Sequence, residues 1–353
     1  MSGTIATIGP TAVAVPEHLL TQADVKRAVG ALVPLARDRL AAVLSLFDGA
    51  GVERRYSVLP VEELHRRREM TETMEIYRKH AIHLGRQVAR ACLEKSGVAP
   101  GEVDLVISVS CTGVMLPSLD AYLANDLGFR ADVRRLPITE LGCLGGAAAL
   151  SHARDFIAGH PGANVLVISV ELPTLSFQRH DLSPANLIST ALFGDGAAAV
   201  LLTGREIEGA RMLDARSHLF ARTLDALGFD LKSDGFHVVL GRELPGLVRA
   251  DIKRLVTELL ARNEIARESL SAFVLHPGGR RILDAVADQL NLTPEETGPS
   301  REILRDYGNV SSATVLFVLD QWLNRRRPPA GTHGLLGAFG PGFSSELVVL
   351  RWT

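Results

Sequence analysis

Two stretches far apart in the chain share one pattern. Residues 192–204 read LFGDGAAAVLLTG and residues 338–352 read AFGPGFSSELVVLRW. Each is Phe-Gly-X-Gly, then small or polar residues, then an apolar run. Glycines so placed permit a tight turn or close backbone approach, and the apolar tail reads as a core strand. A second echo precedes each stretch. Gly142-Cys143 opens one small-residue helix, and Gly308-Asn309 opens another, NVSSATVLFVLDQWL. The echoes keep the same order. They predict two similar halves, 1–205 and 206–353, each with a working residue at a helix start and each closing on a glycine-turned hairpin.

Short Val/Ile/Leu-rich runs alternate with longer amphipathic segments. Residues 103–110 (VDLVISVS), 164–172 (NVLVISVEL) and 271–276 (SAFVLH) read as buried strands. Segments 70–96, 144–159, 248–263 and 311–325 read as helices. This alternation predicts an α/β layered fold. No Pro/Gly/Ser-rich linker separates autonomous domains.

The 353 residues carry a net charge of −2, which gives no electrostatic footprint for nucleic acid. The basic stretch 65–72 (HRRREMTE) and the loop 324–334 read as solvated surface. Cys92, Cys111 and Cys143 are too few and too scattered for a disulfide framework or a zinc site. The first twenty residues lack a basic n-region and are broken by Pro10 and Pro16, unlike a signal peptide. No apolar run reaches the ~18 residues of a membrane helix. The expectation is a soluble cytoplasmic protein, with no metal.

Cys143 sits in ELGCLGG, where the backbone must turn before a helix. At a helix start, free N–H groups and the dipole lower a thiol pKa and favour the nucleophilic thiolate. The competing reading is an ordinary buried cysteine. His276, in FVLHPGGRRIL, ends an apolar strand, and Pro277-Gly278-Gly279 turn the chain away. As a neutral imidazole it could take a thiol proton; as imidazolium it could hold a thiolate. Otherwise it is a capping or core histidine. Asn309, in YGNVSSAT, reads as a helix cap supported by Ser311, or as an amide aimed at a developing oxyanion.

Taken together, ELGCLGG, LFGDGAAAV, HPGGRRIL, YGNVSSATVLFVLD and FGPGFSSE resemble, in order and spacing, a type III polyketide synthase of the chalcone-synthase-like, bacterial branch of the thiolase superfamily. The resemblance runs from GVERRY (51–56) to VVLRW (348–352). It implies a thiolase-like layered α-β-α-β-α fold and an acyltransferase working on coenzyme A thioesters, with no other cofactor. Cys143 matches the acyl-carrying nucleophile, and His276 and Asn309 its two partners. Phe193 and Phe236 match gatekeeper phenylalanines between the coenzyme A tunnel and the reaction cavity. Cys111, Ser176 and Ser311 match cavity-lining positions. Leu116 matches a residue reaching into the partner's cavity, which implies a homodimer.

The implied reaction loads an acyl group from acyl-CoA on Cys143. Decarboxylative Claisen condensation of malonyl-CoA then extends it, and the cycle repeats before the chain closes into a ring. Residues 212–236 resemble no plant cavity wall; LGFDLKSDGFHVVL (227–240) looks more like bacterial alkylpyrone or alkylresorcinol synthases, which hints at a fatty acyl starter. The stretch before RRY, LAAVLSLFDGAGVERRY, has no Lys or Arg before Arg54, so the expected basic residues for the coenzyme A phosphates are absent. Arg37, Arg39, Arg54 and Arg281 are the replacements considered. The main alternative is a single-condensation 3-oxoacyl-[acyl-carrier-protein] synthase III-like enzyme, against which FGPG argues. A papain-like protease would need CGSCW, which is missing, and a non-enzymatic partner subunit would lack the cysteine.

Overall fold

The computed structural model describes residues 5–32, 37–64, 66 and 68–353, with side chains apart from residues 32–40 and 42. Its strands are β1 (Thr7–Ala14), β2 (His18–Thr21), β3 (Arg54–Ser57), β4 (Leu105–Val109), β5 (Arg134–Ile138), β6 (Asn164–Glu171), β7 (Gly196–Thr203), β8 (Ala210–Leu219), β9 (Leu227–Lys232), β10 (Gly235–Leu240), β11 (Leu270–Leu275), β12 (His333–Gly340) and β13 (Ser344–Trp352). Nine of them join in the order β11-β12-β13-β8-β1-β7-β6-β4-β5.

The order reads alike outward from the β1–β8 contact. On one arm β1 is antiparallel to β7, β7 to β6, and β6 runs parallel to β4. On the other, β8 is antiparallel to β13, β13 to β12, and β12 runs parallel to β11. The two arms meet only where Thr7 and Ile8 face Arg211 and Ala210. β6 and β7 are buried at every residue, as unalternating apolar runs require of strands covered on both faces.

Helices cover and separate the arms. The helices Gly145–Gly159 and Thr314–Gln321 share one core with both arms, joining Ala147, Leu150, Val315 and Leu316 to Val200 and Val348. The outer face of one arm packs Ile168 and Leu201 against Tyr77, Leu84 and Val88 of the helix Met70–Ser96. The other packs Phe273 and Val349 against Val248, Ile252 and Leu283 of the helices Leu244–Arg262 and Arg280–Leu290. The layers are therefore helix, sheet, helices, sheet, helices, as the resemblance implies.

Two details depart from the sequence reading. FGPG does close a hairpin, with Gly340 paired to Ser344. FGDG does not; it leads from the helix Pro184–Leu192 into β7. Ser183 caps that helix by accepting from the Asn186 N–H, and Pro184 starts it, so the chain between β6 and β7 folds as a helix. The helix expected over 311–325 is three pieces: a 3₁₀ turn Ser311–Ala313, the α-helix Thr314–Gln321 and a π turn Trp322–Arg326.

Candidate active site

Cys143 lies in the 3₁₀ turn Gly142–Leu144, which runs into the central helix Gly145–Gly159. The turn needs its glycine. Gly142 has a φ of +52°, and a Cβ there would stand 2.5 Å from Pro341 Cδ of FGPG. The echoed FGPG motif thus seals one side of the cysteine turn. On the other side the 3₁₀ turn Ser311–Ala313 approaches. Ser311 takes a left-handed φ of +46°, uncommon for a residue with a side chain. Its Oγ comes 3.5 Å from Cys143 Sγ and 3.2 Å from Cys111 Sγ.

Asn309 fills the capping role foreseen for it. Its Oδ1 accepts from the Ser311 N–H at 2.8 Å and from Thr314 Oγ1 at 3.2 Å, which is capping. Its Nδ2 donates to Gly278 O at 3.2 Å, tying it to the turn after His276. An amide carries two N–H donors, and the other reaches the Cys143 sulfur. His276 comes directly after β11 and is 3% exposed; its N–H donates to Gly337 O at 2.8 Å. Among the described residues neither ring nitrogen has a hydrogen-bond partner. A satisfied core or capping histidine does not look like this, because buried polar atoms are normally paired.

The electrostatics correct one expectation. Burial pushes the Cys143 thiol up to about 11, against hydrogen bonds from Ser311 and Asn309 that pull it down; the Glu171 carboxylate adds to the rise. The helix start does not prevail, because a dry pocket penalises a thiolate more than one turn of backbone dipoles rewards it. Burial likewise pulls His276 down to about 4. The resting pair is a neutral thiol and a neutral imidazole.

Sequence reasoning missed Glu171. It ends β6 fully buried and accepts from Thr112 Oγ1 at 2.7 Å, from the Cys111 N–H at 3.1 Å and from Ser312 Oγ. Burial raises its pKa, while these donors oppose the rise. Its signal was present as the only acid in NVLVISVEL. Tyr77 extends the network, donating to Ser110 Oγ at 2.7 Å.

The remaining candidates are more dispersed. Phe193 faces Asn309 across an isolated parallel bridge and, with the buried Ser176, lines a small pocket. Phe236 lies in the β9–β10 hairpin, its ring 5.7 Å from Phe229 and its carbonyl accepting from Gln178 Nε2. Leu116 is 96% exposed. Arg281 is exposed at the start of the helix Arg280–Leu290. Arg54 pairs with Asp306 at 3.3 Å. The side chains of Arg37 and Arg39, like His65 and Arg67, lie outside the described residues. Among the described residues no group of His, Cys, Asp and Glu could hold a metal ion, and no helix is long and apolar enough to cross a membrane.

A layered pair of sheet arms with a cysteine, an asparagine and a strand-end histidine around its central helices defines a thiolase-like condensing enzyme. Comparison with known proteins narrows the class. Residues 2–205 match chalcone and stilbene synthases, N-terminal domain, and residues 212–353 match the C-terminal domain. The chain is 38% identical to a 1,3,6,8-tetrahydroxynaphthalene synthase of Streptomyces peucetius subsp. caesius, covering 96% of this chain and 91% of that one. It is 34% identical to a phloroglucinol synthase of Pseudomonas fluorescens, covering 96% and 97%. The crystal structure of 1,3,6,8-tetrahydroxynaphthalene synthase from Streptomyces coelicolor superposes with a TM-score of 0.95 at 32% identity, covering 98% and 99%. The chain belongs to the chalcone and stilbene synthase family and is a type III polyketide synthase. These relatives give no support to the 3-oxoacyl-[acyl-carrier-protein] synthase III-like alternative.

Proposed function

We propose that Cys143 carries the growing chain and that His276 and Asn309 handle charge on the incoming extender. The observation that carries this reading is the meeting of three side chains: Cys143 beside Ser311 and Asn309, with Asn309 tied to the Gly278 carbonyl two residues after His276. The neutral imidazole takes the thiol proton as sulfur attacks the starter thioester, and coenzyme A leaves as its thiol. The Asn309 N–H released from the sulfur once it is acylated, and a His276 N–H, then face the malonyl thioester oxygen. Loss of CO₂ leaves an enolate whose negative charge those donors stabilise. Its carbon attacks the acyl thioester on Cys143, the acyl C–S bond breaks and frees the sulfur, and the chain, longer by two carbons, is left on coenzyme A and returns to Cys143 for the next round.

Phe193 and Phe236 form the apolar entrance, and Cys111, Ser176 and Ser311 line the cavity. Arg281 holds a coenzyme A phosphate. Coenzyme A thioesters are the only small molecules the reaction uses, and the enzyme works in the cytoplasm. The halves 1–205 and 206–353 act as one unit around the central helices. A homodimer covers the exposed Leu116 and Val114 beside edge strand β5, whose first four residues are exposed. Similarity of residues 227–240 to alkylpyrone and alkylresorcinol synthases favours a fatty acyl starter; an aromatic product like those named for the relatives is the competing outcome.

The test incubates purified protein with malonyl-CoA, alone and with acyl-CoAs of increasing length. CO₂ release and product masses are monitored. Cys143→Ala should show no acyl adduct by intact mass while keeping its fold. An adduct on that variant, or no CO₂ with any starter, refutes the reading.

A further inference from the structure

The most unusual charge in the molecule lies behind the site. Arg55, on β3, is 1% exposed, and among the described residues no carboxylate pairs with it. Its two terminal nitrogens are spent on carbonyls, while Nε has no hydrogen-bond partner among the described residues. Nη1 donates to Thr190 O at 2.6 Å and to Phe193 O at 3.2 Å. Nη2 donates to Ala191 O at 2.8 Å and to Gln22 Oε1. Gln22 turns the same way, with Nε2 donating to Ala191 O at 3.0 Å and to Phe47 O at 2.9 Å. The charge therefore sits on the last carbonyls of the helix Pro184–Leu192, where the dipole is negative.

The site itself begins where that helix ends. The Asn309 N–H donates to Leu192 O at 2.8 Å, and the Gly194 N–H donates to Asn309 O at 3.1 Å. A Cβ on Gly194 would come 3.0 Å from Arg55 Cβ, and one on Gly308 would come 3.5 Å from it. The arginine stem thus backs both strands of the Phe193–Asn309 bridge, and its fork fixes three carbonyls of one of them. An ammonium could occupy the place but not match the fork, since it is a point charge on a flexible stem.

Resting on the roles proposed above for Phe193 and Asn309, we propose that Arg55 is a positioning residue. It locks the Thr190–Phe193 backbone so that the Phe193 ring and the Asn309 amide keep their places, and it touches no substrate. Malonyl decarboxylation depends on both of these; transfer of the starter to Cys143 depends on them less. Losing the fork therefore separates two half-reactions that a general loss of fold would lower together.

Arg55→Lys is compared with wild type in three measurements. Intact mass gives the rate of acyl loading on Cys143, CO₂ release gives malonyl decarboxylation, and hydrogen exchange reports the Gly194 and Asn309 amides. A misplacement of about 1 Å at a reacting centre costs on the order of a hundredfold, so decarboxylation should fall about that far while loading stays within roughly threefold. Exchange should quicken at the two bridge amides and not in β6 or β13. If Arg55→Lys does not fold, Gln22→Leu removes one arm of the same clamp and should shift the same readouts less far. Unchanged exchange at the bridge, or loading and decarboxylation falling in parallel, overturns the assignment. Should wild type release no CO₂, the catalytic reading falls, and the exchange arm alone still decides whether Arg55 holds the bridge.

Discussion

Gly146→Ala tests whether the cysteine turn depends on close approach of the two central helix starts. Gly146 is buried in the first turn of the helix Gly145–Gly159. A Cβ there would fall more than about 1 Å inside the 3.4 Å at which ordinary contact with the Ser312 carbonyl begins, and 3.1 Å from Val315 Cγ1. The obstacle is backbone, so no side chain can swing aside. Helix propensity favours alanine by about 1 kcal/mol, and overpacking of this kind costs typically 1–3 kcal/mol, here at the upper end. The net expectation is a loss of about 2 kcal/mol. Relief requires Ser311–Ala313 to retreat by about 1 Å, which opens the 3.5 Å contact between Ser311 Oγ and Cys143 Sγ. Product formation should then fall by on the order of a hundredfold. Gly159→Ala, at the far end of the same helix, meets nothing within 4 Å and supplies the control. It should be neutral or slightly stabilising. Urea unfolding and steady-state product assays on both variants decide the matter. A Gly146→Ala protein as stable and active as the control would refute the close approach.

His276 carries a stability signature as well. Its pKa lies near 4 when folded against an ordinary 6.5, so the unfolded chain binds the proton first as pH drops. The associated stability is present above pH 6.5 and is lost as pH falls toward 4, by about 3 kcal/mol in all. His276→Asn should lose less over that window, by up to about 1.4 kcal/mol per pH unit; parallel curves in urea titrations at pH 7, 6 and 5 would contradict the buried neutral ring. Leu116→Asp places a charge on the side chain assigned to the subunit contact, and light scattering should show a shift from dimer to monomer. A variant of unchanged mass would remove Leu116 from that contact.

The layered fold was legible because its strands are runs of Val, Ile and Leu too apolar to be anything but covered on both faces. Cys143, His276 and Asn309 were legible because glycines beside them mark where backbone must turn or be approached. Alone, each had a bland reading, and for Asn309 the bland one holds: Oδ1 caps while Nδ2 reaches the turn after His276. What the sequence withheld depends on burial. Glu171 was only one letter of the strand 164–172, and Arg55 only part of RRY, because adjacency to Cys111 or to a helix C-terminus is a property of distant segments. The thiol was misjudged for the same reason. A helix start is local and visible, whereas desolvation is set by the whole surrounding core.

That misjudgement bears on how the first step can run. Within the folded site, burial raises the thiol and lowers the imidazole, so moving the thiol proton to the imidazole is uphill before substrate arrives. Attraction between the resulting opposite charges offsets part of this. Both shifts favour the uncharged forms. In the proposed mechanism the proton moves as sulfur attacks, when the thioester carbonyl begins to accept the electron pair. The same reasoning explains why the two nitrogens of His276 are left without partners inside the fold. A carbonyl acceptor placed on either would stabilise one tautomer or the imidazolium in the resting state, and the ring must accept a proton in one step and donate a hydrogen bond in another. The unpaired buried ring costs stability, and that cost keeps both roles open.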